Sequence, residues 1–403
     1  MNKGNFFRRT VSTLFIVSIM LFASVTHAEI YTGEGSYIMS EGENLGVAKE
    51  RAKADAMRNA AEKAGTYVRS YTKTRNLTLE EDIIETMTAS IIKLIGNPNF
   101  LPYEQLDNLE GLLIRVIVNV QIEDSDINRW LNKDEQQKSE LIALRRANEE
   151  QARQIEELKR KLANNPQDKE QIVKEFEVED KIFLSNQKVR EAWKFYENGD
   201  YNGVIKLNDE ALQLNPNNSL AYYGRGNAYA YLGQYERAIQ DYDKAIQINS
   251  NYANAYNNRG TSYKNLWQYE RAIQDFNKAL EFKEHEFIYN NRGVAYAVLG
   301  QKEQAIQDYS KAIQLNPSYS TAYYNRGIVY NDLGQKELAI QDYSKAIQLN
   351  PNYSEAYYNR GVIYYYLRQY ENALKDFEKD LELNINDKYT KIGIELCRKA
   401  LGW

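Results

Sequence analysis

The stretch STAYYNRGIVYNDLGQKELAIQDYSKAIQLNP, residues 320–351, decides the architecture of most of this chain. Its first half carries Tyr323, Gly327 and Tyr330 at helical spacing, and its second carries Ala339, Tyr343 and Ala346. Small residues let two helices approach closely, and aromatic rings fill what remains between them. Between the halves, Leu333-Gly334 supplies a residue that tolerates the left-handed backbone closing a helix. Asn350-Pro351 stops the second helix, because proline cannot continue it and restricts the residue before it. The stretch therefore reads as two antiparallel helices joined by a tight turn. Near-copies surround it, marked by Arg225-Gly226, Arg259-Gly260, Arg292-Gly293, Arg326-Gly327 and Arg360-Gly361, at steps of 34, 33, 34 and 34 residues.

This period and residue pattern resemble the tetratricopeptide repeat. The resemblance implies an all-α superhelical solenoid that grips other proteins on its concave side. Units start at Ser219, Ala253, Glu286, Ser320 and Ser354, and the short step falls at Phe282-Lys283-Glu284-His285, where Asn-Pro is absent. A divergent first unit begins at Ser185, with Ala192, Phe195, Gly199, Tyr201, Ala211 and Asn215-Pro216 at matching places. Residues 185–387 thus hold six repeats. Residues 388–403 read as a capping helix that uses Ile392, Leu396 and Leu401 to cover the last repeat.

The rest of the chain has a different texture, and the fold class is multidomain. Residues 1–28 resemble a secretory signal, with Lys3, Arg8 and Arg9 before an apolar run and Thr26-His27-Ala28 as the cleavage site. The run is shorter than the ~20 residues that span a bilayer. A periplasmic or secreted protein beginning at Glu29, with no membrane span after cleavage, is expected. Residues 29–130 read as a small α+β domain. A strand over 30–39 holds Gly33 and Gly35, and a helix over 45–69 carries Ala48, Ala52, Ala56, Ala60 and Ala64 four apart. A second helix spans about 80–95, and a period-two strand covers 112–122. The Gly-x-Gly, the alanine ridge and the closing valine-rich strand resemble the N-terminal domain of flagellar assembly protein T and related small outer-membrane lipoproteins. That likeness implies a role in envelope assembly.

Residues 134–163 place Leu141, Leu144, Asn148, Gln151, Ile155, Leu158 and Leu162 at alternating steps of three and four. This is a short coiled-coil pattern, read either as a solvated spacer helix or as a parallel homodimer seam with Asn148 fixing register.

Chemistry is sparse. Two histidines and one cysteine offer no metal set and no nucleophile–base pair, so neither enzyme activity nor a cofactor is expected. Formal charge is −5, and removing Lys3, Arg8 and Arg9 with the leader takes it to −8, which argues against nucleic acid. Function is therefore sought in the groove, with proteins or peptides as partners. Asn258, Asn291, Asn325 and Asn359 recur at the sixth position of successive repeats, with Gly224 in the earlier unit. They resemble the asparagine ladder in the repeat domain of O-linked N-acetylglucosamine transferase, where carboxamides hold a peptide main chain. One amide matches both a backbone N–H and a C=O. The other reading makes them a helix-to-helix contact copied with the repeat. Neighbouring groove residues are Tyr223, Asn227, Asn257, Thr261, Lys264, Asn290, Tyr324, Asn331, Tyr358 and Tyr365. Only Lys264 is basic among them, so a lysine–asparagine–arginine clamp for a C-terminal carboxylate is not expected. The rival reading gives the N-terminal domain a small molecule or cell-wall fragment to bind and makes the repeats a spacer.

Overall fold

A computed structural model describes residues 28–40, 45–74, 79, 81–102, 104–106, 111–131, 135–164, 169–384 and 387–403. The expected leader, apart from Ala28, lies outside the described residues. The chain divides into two compact units, one ending at Ile142 and one beginning at Ala143.

The first unit contains β1 (Ala28–Ser40), α1 (Leu45–Thr74), α2 (Glu81–Ile91), β2 (Lys93–Phe100), β3 (Glu104–Leu106), β4 (Gly111–Glu123) and α3 (Asp124–Leu131). The sheet is antiparallel in the order β1-β4-β2, and β3 pairs the start of β4. The period-two pattern is realised: Ile114, Val116, Val118, Val120 and Ile122 all face the core. All five ridge alanines of α1 are buried in the same core. The glycines of β1 make this contact possible. A Cβ on Gly33 would lie 2.0 Å from the Ala56 carbonyl oxygen, and one on Gly35 would lie 2.2 Å from the Ala56 nitrogen. One residue along from the ridge, Asp55, Asn59 and Lys63 bond the Ser36 N–H, the Glu34 carbonyl and the Thr32 carbonyl. Backbone groups that edge strand β1 leaves unpaired are thereby satisfied in the chain, which blunts the edge against foreign strands.

The end of the second helix differs from expectation. The second helix stops at Ile91, and Leu94 and Ile95 belong to β2. The apolar run continued a helical period, but Gly96 in the left-handed region and Pro98 favour a short, bulged strand. The helix α3, with Ile127 and Trp130 buried, closes the unit.

The second unit takes in most of α4 (Glu135–Asn164), then α5 (Lys169–Glu197) and α6 (Tyr201–Leu214). The pairs α7 (Ser219–Tyr231) and α8 (Tyr235–Ile248), α9 (Ala253–Asn265) and α10 (Tyr269–Phe282), α11 (Glu286–Val298) and α12 (Lys302–Leu315), α13 (Ser320–Asp332) and α14 (Lys336–Leu349), and α15 (Ser354–Tyr366) and α16 (Tyr370–Leu383) follow, closed by α17 (Lys388–Leu401). From α7 to α15 each odd helix packs on the even helix after it and on the one before it. The repeat glycine marks the close approach: a Cβ on Gly327 would stand 2.9 Å from the buried Tyr343 ring. Turn glycines 199, 233, 300 and 334 all have φ between 72° and 75°.

The cap uses a different face from the one expected. Ile392 and Leu396 are exposed, while Thr390, Ile394 and Cys397 are buried and Leu401 packs beside them. Gly393 sets this face, since its Cα lies against the Phe377 ring, where a Cβ would be 2.9 Å from it. Asp380, which replaces the alanine of other repeats, accepts hydrogen bonds from the Ser354 and Thr390 hydroxyls and fastens the cap.

Gly35→Ala is expected to destabilise the first unit by at least about 1–3 kcal/mol, the range typical of overpacking, because the obstructing atoms are backbone. A thermal melt indistinguishable from that of the unsubstituted protein would contradict the strand–helix contact.

Candidate functional site: the wall of first helices

The first helices α7, α9, α11 and α13 neighbour one another directly, so the side chains at fixed places on them form one continuous wall. That wall is held by a device at each Arg-Gly marker. Arg259 donates from Nε and Nη2 to both oxygens of Asp275, at 2.8 and 2.6 Å, and from Nη1 to Asp243 of the preceding repeat at 2.5 Å. The same two-pronged fork joins Arg225 to Asp241, Arg292 to Asp308, Arg326 to Asp342 and Arg360 to Asp376. The third nitrogen reaches back to Asp209, Asn277, Ser310 and Ser344 respectively. Tyrosine rings flank these guanidinium groups: Arg292 lies 5.4 Å from the Tyr289 centroid and 5.8 Å from that of Tyr296. Burial pushes the carboxyls of Asp241, Asp275, Asp308 and Asp376 above the usual carboxylate range, with the guanidinium pulling the other way.

The asparagines next to these arginines serve the stack as well. Asn258 Nδ2 donates to Tyr223 Oη at 3.0 Å and to Asn227 Oδ1 at 2.9 Å, both on α7. Asn325 Nδ2 donates to Asn290 Oδ1 at 3.0 Å, and Asn359 Nδ2 to Tyr324 Oη at 3.1 Å. Asn291 Nδ2 reaches Asn257 Oδ1 at 3.5 Å. All four carboxamides therefore spend a donor on the preceding repeat. Their oxygens are used unequally. Asn258 Oδ1 accepts from Asn257, and Asn291 Oδ1 accepts from Lys264. No hydrogen bond to Oδ1 of Asn325 or Asn359 occurs among the described residues.

Several expected groove residues are packing instead. Tyr223, Asn227, Asn257 and Asn290 are buried, and Tyr242 Oη donates to Asn227 from below. Tyr324 packs on Tyr353 with centroids 4.7 Å apart, and Tyr358 packs on Phe377 at 5.9 Å. Lys264, Thr261 and Tyr365 are half-buried, and Asn331 is exposed. Arg190 stands at the equivalent sixth place of the first repeat. The arginine forks were missed, although each arginine precedes its aspartate by 16 residues in every unit from 219 onward.

The proposed seam on α4 is consumed within the chain. Leu144 packs with Val189, Ala211 and Ala221, and Ile155 and Leu158 are buried. Gln151 Nε2 donates to the Glu179 carbonyl of α5 at 2.7 Å. Leu141 packs against the core of the first unit, and Asn148 is half-buried. Leu144, Gln151, Ile155 and Leu158 are thus covered within the chain, and no homodimer seam through this stripe is shown. The side chain of Leu162 lies outside the described residues.

His285 caps α11, its Nδ1 accepting the Phe287 N–H at 3.4 Å. Among the described residues no group of three or more His, Cys, Asp or Glu side chains is placed to hold a metal ion, and no helix is long and apolar enough to cross a membrane.

Asp308→Ala should strand the Arg292 guanidinium and cost about 3 kcal/mol, the effect of breaking a buried pair from one side. The double variant Arg292→Met with Asp308→Leu should recover most of that loss in a chemical denaturation series.

Tetratricopeptide-repeat family models match residues 207–240, 226–266, 253–286, 287–319, 320–353 and 354–387. They assign Glu286 to the unit before it, whereas α11 begins at that residue; either frame puts the missing residue at this joint. No curated protein matches the chain. Among solved structures it is similar to YrrB, a tetratricopeptide protein with an unusual peptide-binding site, at 25% identity over 47% of this chain and 97% of that one, with a TM-score of 0.40. It is similar to PilW, a type IV pilus biogenesis factor, at 20% identity over 52% and 97%, with a TM-score of 0.49. MamA matches at 29% identity over 40% and 94%, with a TM-score of 0.38. The C-terminal part of this chain is a tetratricopeptide-repeat solenoid.

Proposed function

We propose that this chain is an exported, non-enzymatic scaffold that binds extended segments of partner proteins along the wall of first helices. The supporting observation is the recurrence of one carboxamide in each of the last four repeats, with the oxygens of Asn325 and Asn359 left unused among the described residues. At Asn325 and Asn359 the carboxamide divides its two ends: the N–H donor ties repeat to repeat, and the carbonyl oxygen is left to accept from a main-chain N–H group of the partner. Asn331 and Tyr365 supply exposed and half-buried side-chain contacts beside them. The first unit, with its blunted strand edge, docks the array within an envelope or flagellar assembly, the role its sequence resemblance implies.

A photo-crosslinking residue at position 331 is expected to capture partner protein, and one at the exposed Thr32 of the first unit is expected to capture less. Capture through position 32 alone would transfer the binding role to the first unit. Export is checked separately: protein isolated from the cell envelope should begin at Glu29, and an intact Met1 would contradict a cleaved leader.

A further inference from the structure

The carboxamide network has a direction and an end. Asn258 donates to Tyr223 and Asn227, Asn257 to Asn258, Asn291 to Asn257, and Lys264 Nζ to Asn291. Every donor points away from Lys264, so a cation terminates a chain of aligned amides that runs across three repeats. The links nearest Lys264 are also the loosest. Both contacts of Asn291 are 3.5 Å, whereas the matching inter-repeat contacts of Asn258, Asn325 and Asn359 are 2.9–3.1 Å. The slack lies between α9 and α11, whose repeats meet at the one-residue-short joint between α10 and α11.

Lys264 is half-buried, and among the described residues no carboxylate lies within ion-pair distance of it. An ammonium group carries three N–H donors, and only one is engaged here, at long range. At the equivalent place the other repeats carry Tyr196, Ala230, Ala297, Asn331 and Tyr365, so the charge is particular to the third repeat. Burial pulls the Lys264 ammonium below the ordinary lysine range, with no acidic neighbour to offset it. The arginines of the wall differ in kind, since each is already forked to its own aspartate.

We propose that Lys264, together with the Asn291 carboxamide, is a subsite for a single carboxylate on the segment seated along this wall. The inference rests on the peptide-binding reading above and fixes one feature of the ligand: an acidic side chain, or a chain end, opposite α9 and α11. The Lys264 ammonium turns from the Asn291 Oδ1 to the incoming carboxylate, which replaces a 3.5 Å contact with a charge-assisted one, and the second N–H of Asn291 Nδ2 donates to the same carboxylate.

The test uses the full mature chain and four matched pools of random neutral decapeptides. The pools carry Glu or Gln at the centre, each with a free or an amidated C-terminus, and binding is read by fluorescence anisotropy. Pools bearing a carboxylate should bind about tenfold or more tighter than the neutral amidated pool, the scale of a hydrogen bond to a charged group. Preference for the central Glu or for the free terminus identifies the source of the carboxylate. Lys264→Gln should erase the preference for the carboxylate-bearing pools, and Lys264→Arg should keep most of it. Equal binding of all pools would overturn the subsite while leaving the groove reading intact. Binding of no pool would overturn both. A preference that survives in Lys264→Gln would move the anion site elsewhere and overturn the assignment to Lys264.

Discussion

One arginine per repeat ties this array together. The guanidinium group is planar and presents five donors in a fixed fork, a geometry that lysine cannot imitate. In each unit from 219 onward, two of its nitrogens close on the aspartate 16 residues later, joining the unit's own helices. The third crosses to the second helix of the preceding unit. A single side chain thereby sets both the angle within a repeat and the spacing between repeats. Buried ion pairs bring little net stability over an apolar substitute, but they punish misalignment severely. In a solenoid, where each unit touches only its neighbours, that kind of specification keeps the wall in register.

The same economy explains why so many tyrosines accompany a polar wall. One set of rings, Tyr289 and Tyr296 among them, lies over the guanidinium groups, and the hydroxyls of others, Tyr223 and Tyr324, accept from the ladder carboxamides. Tyrosine suits this double task because one end is apolar and the other can be hydrogen-bonded. The consequence for function is that much of the recurring polarity is spent internally. What remains for a ligand is the irregular part: the free oxygens of Asn325 and Asn359, exposed Asn331, and Lys264 at the loose junction.

The sequence made the helices, turns and period legible because each rests on a local signal: a glycine in the left-handed region, a proline after a helix end, an alanine where two backbones meet. The alanine ridge of α1 and the apolar face of β4 were equally plain. Elements whose identity depends on distant partners were not. The strand β2 looks helical until β4 is known to lie beside it, and Tyr223 or Asn257 looks like groove until the next repeat is laid over it. The forks occupy a middle ground, since the constant 16-residue spacing was visible but its meaning required two helices side by side. The cap illustrates the hazard of choosing apolar residues by type alone. Gly393, not Ile392 or Leu396, decides which face of α17 meets Phe377.

The stripe on α4 follows from the same logic. A heptad-like run of apolar residues states only that a helix must cover one face, not whether the cover comes from another chain or from further along its own. Here the second unit contains a ready cover, because α5 begins a few residues after α4 ends and continues directly into the first repeat. An intramolecular partner is present at an effective concentration that a second copy of the chain cannot match in solution. A repeat array also needs its first unit closed, since that unit's outer face has no neighbour. Leu144 against Val189, Ala211 and Ala221 meets this need at one end of the stack, and Ile394 and Cys397 meet it at the other. The atypical residues at both ends of the array are thus the places where an open-ended stack is made finite.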